Sequence, residues 1–261
     1  MLNAKCSKHL ESFLASKATF EIIYGHRQFS KIDRLLVLDS SFNPPHNGHL
    51  NLIRRAVQHY SDSKLHVILL LSLNNADKEP QPATFDRRLD MMCLLSDFLK
   101  DSSIMTSVGV TTYGKFVKKS EAMLEKLGNG FQIAYLVGFD TITRIFDPKY
   151  YAPRLVSEAL GPFMENTELY CLTRCGNSEI NDQLSYRKSI AEGLHEPEIP
   201  RSWHQKIVIE QNVPNFSQIS STLAREMIIS AQPDAASLMP KAIYDYAIQR
   251  HDGVNIFEKK K

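Results

Sequence analysis

The sequence predicts an α/β protein on a doubly wound, mostly parallel sheet. Three observations carry that prediction. Short apolar runs at 35–38, 65–73 and 131–137 have no polar face, as strands covered on both sides do. Amphipathic helical stretches alternate with them, the pattern of βαβ units with right-handed crossovers. Polar turn residues gather directly after the first and third runs, at the strand ends where open parallel sheets hold ligands.

In chain order, 5–18 reads as a helix with Leu10, Phe13 and Leu14 on its apolar side, and 20–24 as a short strand expected beside the run at 35–38. A helix follows at 47, with Asn47 as its expected N-cap and Leu50, Leu52, Ile53, Ala56 and Val57 as its apolar residues. After the run at 65–73 comes a polar, Pro-containing loop at 74–83 with Lys78. Residues 85–99 form a helix with Leu89, Met92, Leu95 and Leu99 on one face. A strand at 104–110, a helix at 117–127 closed by Gly128, the strand at 131–137 and a helix at 141–146 come next, with 146–151 placed to line a pocket. Strands at 169–173 and 206–210 flank a polar segment, 177–200, with one helix at 184–192, expected outside the core. A helix opens near 220, a last one closes the chain at 238–248, and 259–261 read as a frayed tail. The organisation expected is an N-terminal extension (1–30) and one domain (31–261) with an insertion near 177–205.

With 261 residues, 43% hydrophobic and 23% charged, the chain has the makings of one large core. A net charge of +2 makes no case for nucleic acid as a partner, and no apolar run approaches the roughly 18 residues of a membrane span. Four scattered cysteines (Cys6, Cys93, Cys171, Cys175) fit a reducing compartment, cytosol with nucleus as the other option. The first helix carries Glu11 and no Arg, unlike a transit peptide.

The stretch at 39–50, DSSFNPPHNGHL, carries the chemistry. A strand, a turn stiffened by Pro44 and Pro45 and a helix start together make an anion site of free amides and positive helix dipole. His46 and His49 lie on one helix face as donors to phosphate oxygens. Gly48 between them removes a side chain from the path of a phosphate. No third ligand at metal spacing accompanies the two histidines. Far along the chain, Ser220, Ser221 and Thr222 open a helix with Arg225 one turn further in. Alone this is an ordinary cap; paired with the first stretch it is a second phosphate site.

The segment from Ser41 to His49 resembles the signature of the (H/T)-x-G-H nucleotidyltransferase superfamily, and its Phe-Asn-Pro lead-in is most similar to the nicotinamide mononucleotide adenylyltransferase branch. Gly138-Phe139-Asp140, Ile219-Ser220-Ser221-Thr222 with Arg225, and Leu238-Met239-Pro240 follow in that family's order. The resemblance implies adenylyl transfer from ATP to nicotinamide mononucleotide, giving NAD+ and pyrophosphate. It implies His46, His49 and Arg225 as catalytic residues. Ser41, Phe42, His49, Gly138, Asp140, Ser220, Ser221, Thr222 and Arg225 would bind ATP. Ser40, Ser41, Phe85 and Arg88 would bind the mononucleotide. Mg2+ or another divalent cation would arrive on the ATP phosphates, not in a protein metal site. The plainer alternatives are Asp140 as a helix cap, a role that can coexist with binding, and Arg87 and Arg88 as a solvated helix face.

Two departures stand out. Asp39 and Ser40 fall where the family has Gly, with Asp39 either facing the phosphate or turned away by strand alternation. The family's Trp near the Arg-bearing helix is missing, with Phe85 the nearest aromatic. Alternatives therefore stay open: an ATPase, adenylylation of another phosphorylated acceptor, or a non-catalytic binding protein.

Overall fold

The side chains of the central strands settle the layering. In β2 (Arg34–Asp39), Leu36 and Leu38 point to one side of the sheet and Leu35 and Val37 to the other, and all four are buried. Both faces are therefore covered, as the apolar runs predict. The computed structural model describes residues 4–29, 31–73, 82–176, 178–251 and 254–258.

Seven strands form one sheet in the order β1-β4-β3-β2-β5-β6-β7. Its members besides β2 are β1 (Phe20–Gly25), β3 (Leu65–Ser72), β4 (Thr106–Thr111), β5 (Gln132–Gly138), β6 (Thr167–Leu172) and β7 (Ile207–Glu210). From β4 to β7 all neighbours run parallel. The chain winds outward from β2 through β3 to β4, then returns to the other side of β2 for β5, so the order reverses between β2 and β5.

On the first face lie α1 (Ala4–Ala15), α2 (Asn47–His59), α3 (Phe85–Asp101), α9 (Ser221–Ile229) and α10 (Lys241–Ala247). On the second lie α4 (Phe116–Leu127), α5 (Phe139–Ile145), α6 (Val156–Asn166) and α7 (Ile180–Ala191). A single-turn helix, α8 (Pro214–Ser217), leads into α9, and a two-stranded pair, β8 (Arg250–His251) and β9 (Val254–Asn255), ends the described chain. No helix among the described residues is long and apolar enough to cross a membrane.

Several expectations change. The strand at 20–24 does not lie beside β2: as β1 it pairs antiparallel with β4 at the sheet edge. Phe20 and Ile22 join the core of one face, Ile23 with Leu10 and Phe13 of α1 that of the other. A helical stretch between 151 and 169 was not foreseen; α6 fills it, its pattern blurred by Gly161 and by Pro162 inside it. The polar segment at 177–200 does not stay outside the core. It forms the crossover between β6 and β7, burying Ile190 and Ile199 beneath an otherwise charged surface. The loop with Lys78 and the tail at 259–261 fall outside the described residues, Pro82 and Ala83 excepted.

Candidate active site

A cavity of about 350 Å³ opens at the carboxyl ends of the strands, across the reversal between β2 and β5. Its walls include Asp39, Ser40 and Ser41 at the end of β2 and just past it, His46, Gly48 and His49 at the start of α2, and Gly138 and Asp140 where β5 ends and α5 begins. The strand ends, the helix N-terminus and the Gly-x-Asp turn thus meet as the sequence predicts.

The N-cap of α2 is His46, not Asn47, whose side-chain amide instead donates to the Ser237 carbonyl at 2.8 Å. The His46 backbone N–H donates to Nδ1 of His49 at 3.1 Å. With Nδ1 accepting, the His49 proton sits on Nε2, which donates to Ser40 Oγ at 3.1 Å. The two imidazole centroids lie 3.8 Å apart with the ring planes tilted by 36°. Burial, then the neighbouring His49 and Arg174, hold the His46 pKa well below the ordinary histidine value, so this ring is neutral in the free site. Its Nδ1 is buried with no hydrogen-bond partner.

Gly48 has a different reason from the expected one. A Cβ there would lie 2.9 Å from Cε1 and Nδ1 of His46, so glycine clears room for the His46 ring and not for a ligand alone. Phe42, wholly buried and at φ +48, is not on the cavity wall; its ring centroid lies 5.3 Å from that of His49, which it backs.

The second motif reaches the first. Arg225 Nη1 donates to the Asn43 carbonyl at 2.7 Å and Nη2 to Thr222 Oγ1 at 3.1 Å, while Ser221 Oγ donates to the Pro44 carbonyl at 2.9 Å. Ser220 caps α9, accepting the Leu223 N–H at 3.1 Å. Ser220, Ser221, Thr222 and Arg225 are nonetheless off the cavity wall, which Ile219 reaches. Ser221 and Arg225 hold the turn that carries His46, Thr222 holds Arg225, and Ser220 caps the helix. Phe85 and Arg88 are also off the wall: the Arg88 guanidinium lies 5.4 Å from the Phe85 ring centroid, and burial lowers its pKa. Arg87 is not a bare solvated residue; it donates to the Tyr246 hydroxyl of α10 at 3.3 Å.

Asp140 does not cap α5, whose N-cap is Gly138. Its carboxylate lies 3.6 Å from Arg144, and a Cβ on Gly138 would meet its Oδ1 at 2.8 Å. Asp39 turns to Lys119 of α4 and forms a buried ion pair with it in the cavity wall.

Four features of the wall were missed by sequence reasoning: Lys115 and Lys119 at the start of α4, Thr173 and Arg174 just past β6, Asn212 past β7, and Phe216 of α8. Arg174 had a signal, since it follows a strand at the same sheet edge as Gly138. Lys119 had none, because a lysine in a surface-patterned helix gives no sign of burial. Lys115 and Arg174 carry no carboxylate partner among the described residues, so the cavity offers uncommitted positive charge beside the open amides of Asn47 and Gly48.

Fold and site together define the class: an α/β nucleotide-binding protein with a nucleotidyl-transfer signature at its switch point. The family described as cytidylyltransferase-like matches residues 37–227. A Schizosaccharomyces pombe protein provisionally named nicotinamide mononucleotide adenylyltransferase is 36% identical over 92% of this chain and 93% of its own. A Prosthecochloris aestuarii protein provisionally named nicotinate-nucleotide adenylyltransferase is 30% identical over 84% and 97%. The chain belongs to the cytidylyltransferase-like nucleotidyltransferases, in their nicotinamide mononucleotide adenylyltransferase branch. Its fold is also that of the Plasmodium falciparum nicotinic acid mononucleotide adenylyltransferase solved with NaAD (TM-score 0.57, 14% identity, 83% of this chain and 95% of that one).

Proposed function

We propose that this protein transfers the adenylyl group of ATP to nicotinamide mononucleotide, giving NAD+ and pyrophosphate. A phosphate oxygen of the mononucleotide attacks the α-phosphorus of ATP. A new P–O–P bridge forms as the bond to the β-phosphate oxygen breaks, and pyrophosphate carries away the electron pair. The attacking phosphate is ionised near neutral pH, so no side chain need act as nucleophile. The task of the protein is to hold two anions in line and offset their charge.

The observation that carries this reading is the His46–His49 pair at the head of α2, on the wall of a cavity spanning the reversal between β2 and β5. His49 Nε2–H, released from Ser40, serves the phosphate at which charge builds. His46 is neutral until an anion arrives, and a neighbouring phosphate favours its protonated form. Arg174 and Lys115 meet the remaining phosphate charge. Arg225, Ser221 and Thr222 act chiefly by positioning the turn at 43–46.

Of the wall residues, Leu172, Thr173, Asn212, Phe216 and Ile219 suit the adenosine, and Phe116, Tyr150 and Tyr151 suit a flat pyridine ring. Among the described residues no three His, Cys, Asp or Glu side chains group as metal ligands, and both carboxylates of the wall face cations. In this reading a divalent cation would arrive with ATP and offset its phosphate charge.

The test is incubation with ATP, Mg2+ and nicotinamide mononucleotide, following dinucleotide, pyrophosphate and inorganic phosphate. Dinucleotide and pyrophosphate in equal amounts are expected. Inorganic phosphate alone, or no dinucleotide above a His49→Ala control, overturns the assignment.

A further inference from the structure

We infer that Glu210, the last residue of β7, is a positioning residue for the His46–His49 pair: it holds α2 at the rotation that presents both rings to the cavity. The kinetic consequence rests on the adenylyl-transfer reading above, which the inference extends to a residue off the cavity wall.

One stripe of α2 carries the contact. Asn51, Arg55 and His59 follow one another at spacings of four, so they share a helix face. All three bond to the segment that leaves β7. Asn51 Nδ2 donates to Asn212 Oδ1 at 2.8 Å, Arg55 Nη2 to Glu210 Oε2 at 2.8 Å, and His59 Nδ1 to Glu210 Oε1 at 2.8 Å. Oε2 also accepts the Tyr170 hydroxyl of β6 at 2.9 Å. One carboxylate thus gathers two side chains of the helix and one of the sheet. Burial opposes its ionisation, but the bonds from Tyr170, Arg55 and His59 outweigh that and hold its pKa below the ordinary glutamate value.

The opposite side of α2 is held differently. Leu50, Ile53 and Ala56 are buried in the core, and apolar burial is non-directional. It fixes the depth of the helix and leaves rotation about its axis to directional bonds. His46 and His49 continue that apolar stripe toward the N-terminus, at spacings of three and four, so any rotation swings both rings. The reference for the rotation is the cavity wall itself. The Thr173 N–H donates to the Glu210 carbonyl at 2.9 Å and the Asn212 N–H to Thr173 Oγ1 at 3.0 Å, and both Thr173 and Asn212 line the cavity.

The clamp is partly exposed, with side-chain exposures of 40% for Arg55, 34% for His59 and 26% for Glu210. Pairs so exposed add little to stability; what converging bonds supply is placement. Tyr60, the C-cap of α2, donates to Glu168 of β6 at 3.0 Å and keeps the far end of the helix seated. Loss of Glu210 therefore turns the helix without releasing it.

The experiment compares Glu210→Ala and Glu210→Gln with the intact protein. Gln keeps an oxygen for Arg55 and Tyr170. The readouts are kcat and KM with ATP and nicotinamide mononucleotide, and the NMR signals of the histidine rings without substrate. In Glu210→Ala, kcat should fall about ten- to a hundredfold, with both KM values changed by less than about threefold. The ring signals of His46 and His49 should shift while the amide signals of β3 and β4 stay. Glu210→Gln should recover most of the rate. A merely stabilising role would lower the unfolding midpoint and leave the kcat of the folded protein and the ring signals unmoved; that result overturns the inference. So does a Glu210→Gln protein as slow as Glu210→Ala, which would make charge and not placement the contribution. Should Glu210→Ala fail to fold, Arg55→Ala, a partly exposed truncation, should show the same loss and Arg55→Lys recover it. Native kcat in Arg55→Ala overturns the inference. If the intact protein makes no dinucleotide, the adenylyl-transfer reading falls, and the ring signals alone decide whether Glu210 places the pair.

Discussion

Arg225 donates to the carbonyl of Asn43 at 2.7 Å, across 182 residues of chain. With Ser221 on the Pro44 carbonyl, it ties the start of α9 to the turn that carries His46. Removing either donor leaves a carbonyl of that turn open. Arg225→Ala and Ser221→Ala should each destabilise the protein by about 1–3 kcal/mol, read from urea unfolding, and lower kcat as the turn loosens. If Arg225 instead acts only as a phosphate ligand, KM for ATP rises in Arg225→Ala with the unfolding midpoint unchanged.

Gly48→Ala tests the packing of the histidine pair. The added methyl lies 2.9 Å from the His46 ring, which is buried against His49 and cannot swing aside. A stability loss of about 1–3 kcal/mol is expected. It should come with a fall in kcat larger than the change in KM, because the proposed reaction depends on where the ring sits beside the phosphates. A Gly48→Ala protein of native rate contradicts this.

In the proposed reaction Ser40 competes for His49: the Nε2–H proposed to serve a phosphate is held by Ser40 Oγ in the free site. His49→Ala should lower kcat by roughly 10²–10³. Ser40→Ala removes the competitor and keeps the donor, so its loss should fall far short of that. Equal losses in the two variants would show that the serine is needed as much as the imidazole.

The dependence of stability on pH should report His66, a buried residue of β3 outside the His46–His49 pair. Burial, then the charge of His26, pull its pKa down to about 3. Nε2 meets Ser107 Oγ at 2.8 Å, and Nδ1 has no partner to receive a proton's charge. The unfolded chain binds a proton near pH 6.5 and the folded one does not until about pH 3. The contribution is complete above pH 6.5 and is lost as pH falls from 6.5 toward 3, with a slope of up to about 1.4 kcal/mol per pH unit. His66→Phe should flatten that part of the curve; an unchanged slope refutes the assignment.

The sheet was legible because its strands are apolar on both faces, which few other elements are. The first phosphate motif was legible because a tight turn into a helix needs a rare run of residues. What stayed hidden depends on partners distant in the chain. Nothing near Asp39 announces Lys119, 80 residues on, and nothing in Ser220 to Arg225 says that the Ser221 hydroxyl and the Arg225 guanidinium face a backbone turn. The antiparallel placement of β1 was hidden for the same reason. A short strand carries no mark of which edge it joins, and here the small Gly109 of β4, packed under the Phe20 ring, receives it.

That edge placement has a further consequence. Without β1, the outermost rung of the sheet would be β4, a strand whose six residues are all buried and whose backbone would offer an open row of donors and acceptors. The amino-terminal segment therefore guards the protein against sticking to itself. Trimming it or fusing a bulky tag close to Phe20 would be felt first as aggregation, and only afterwards as lost catalysis.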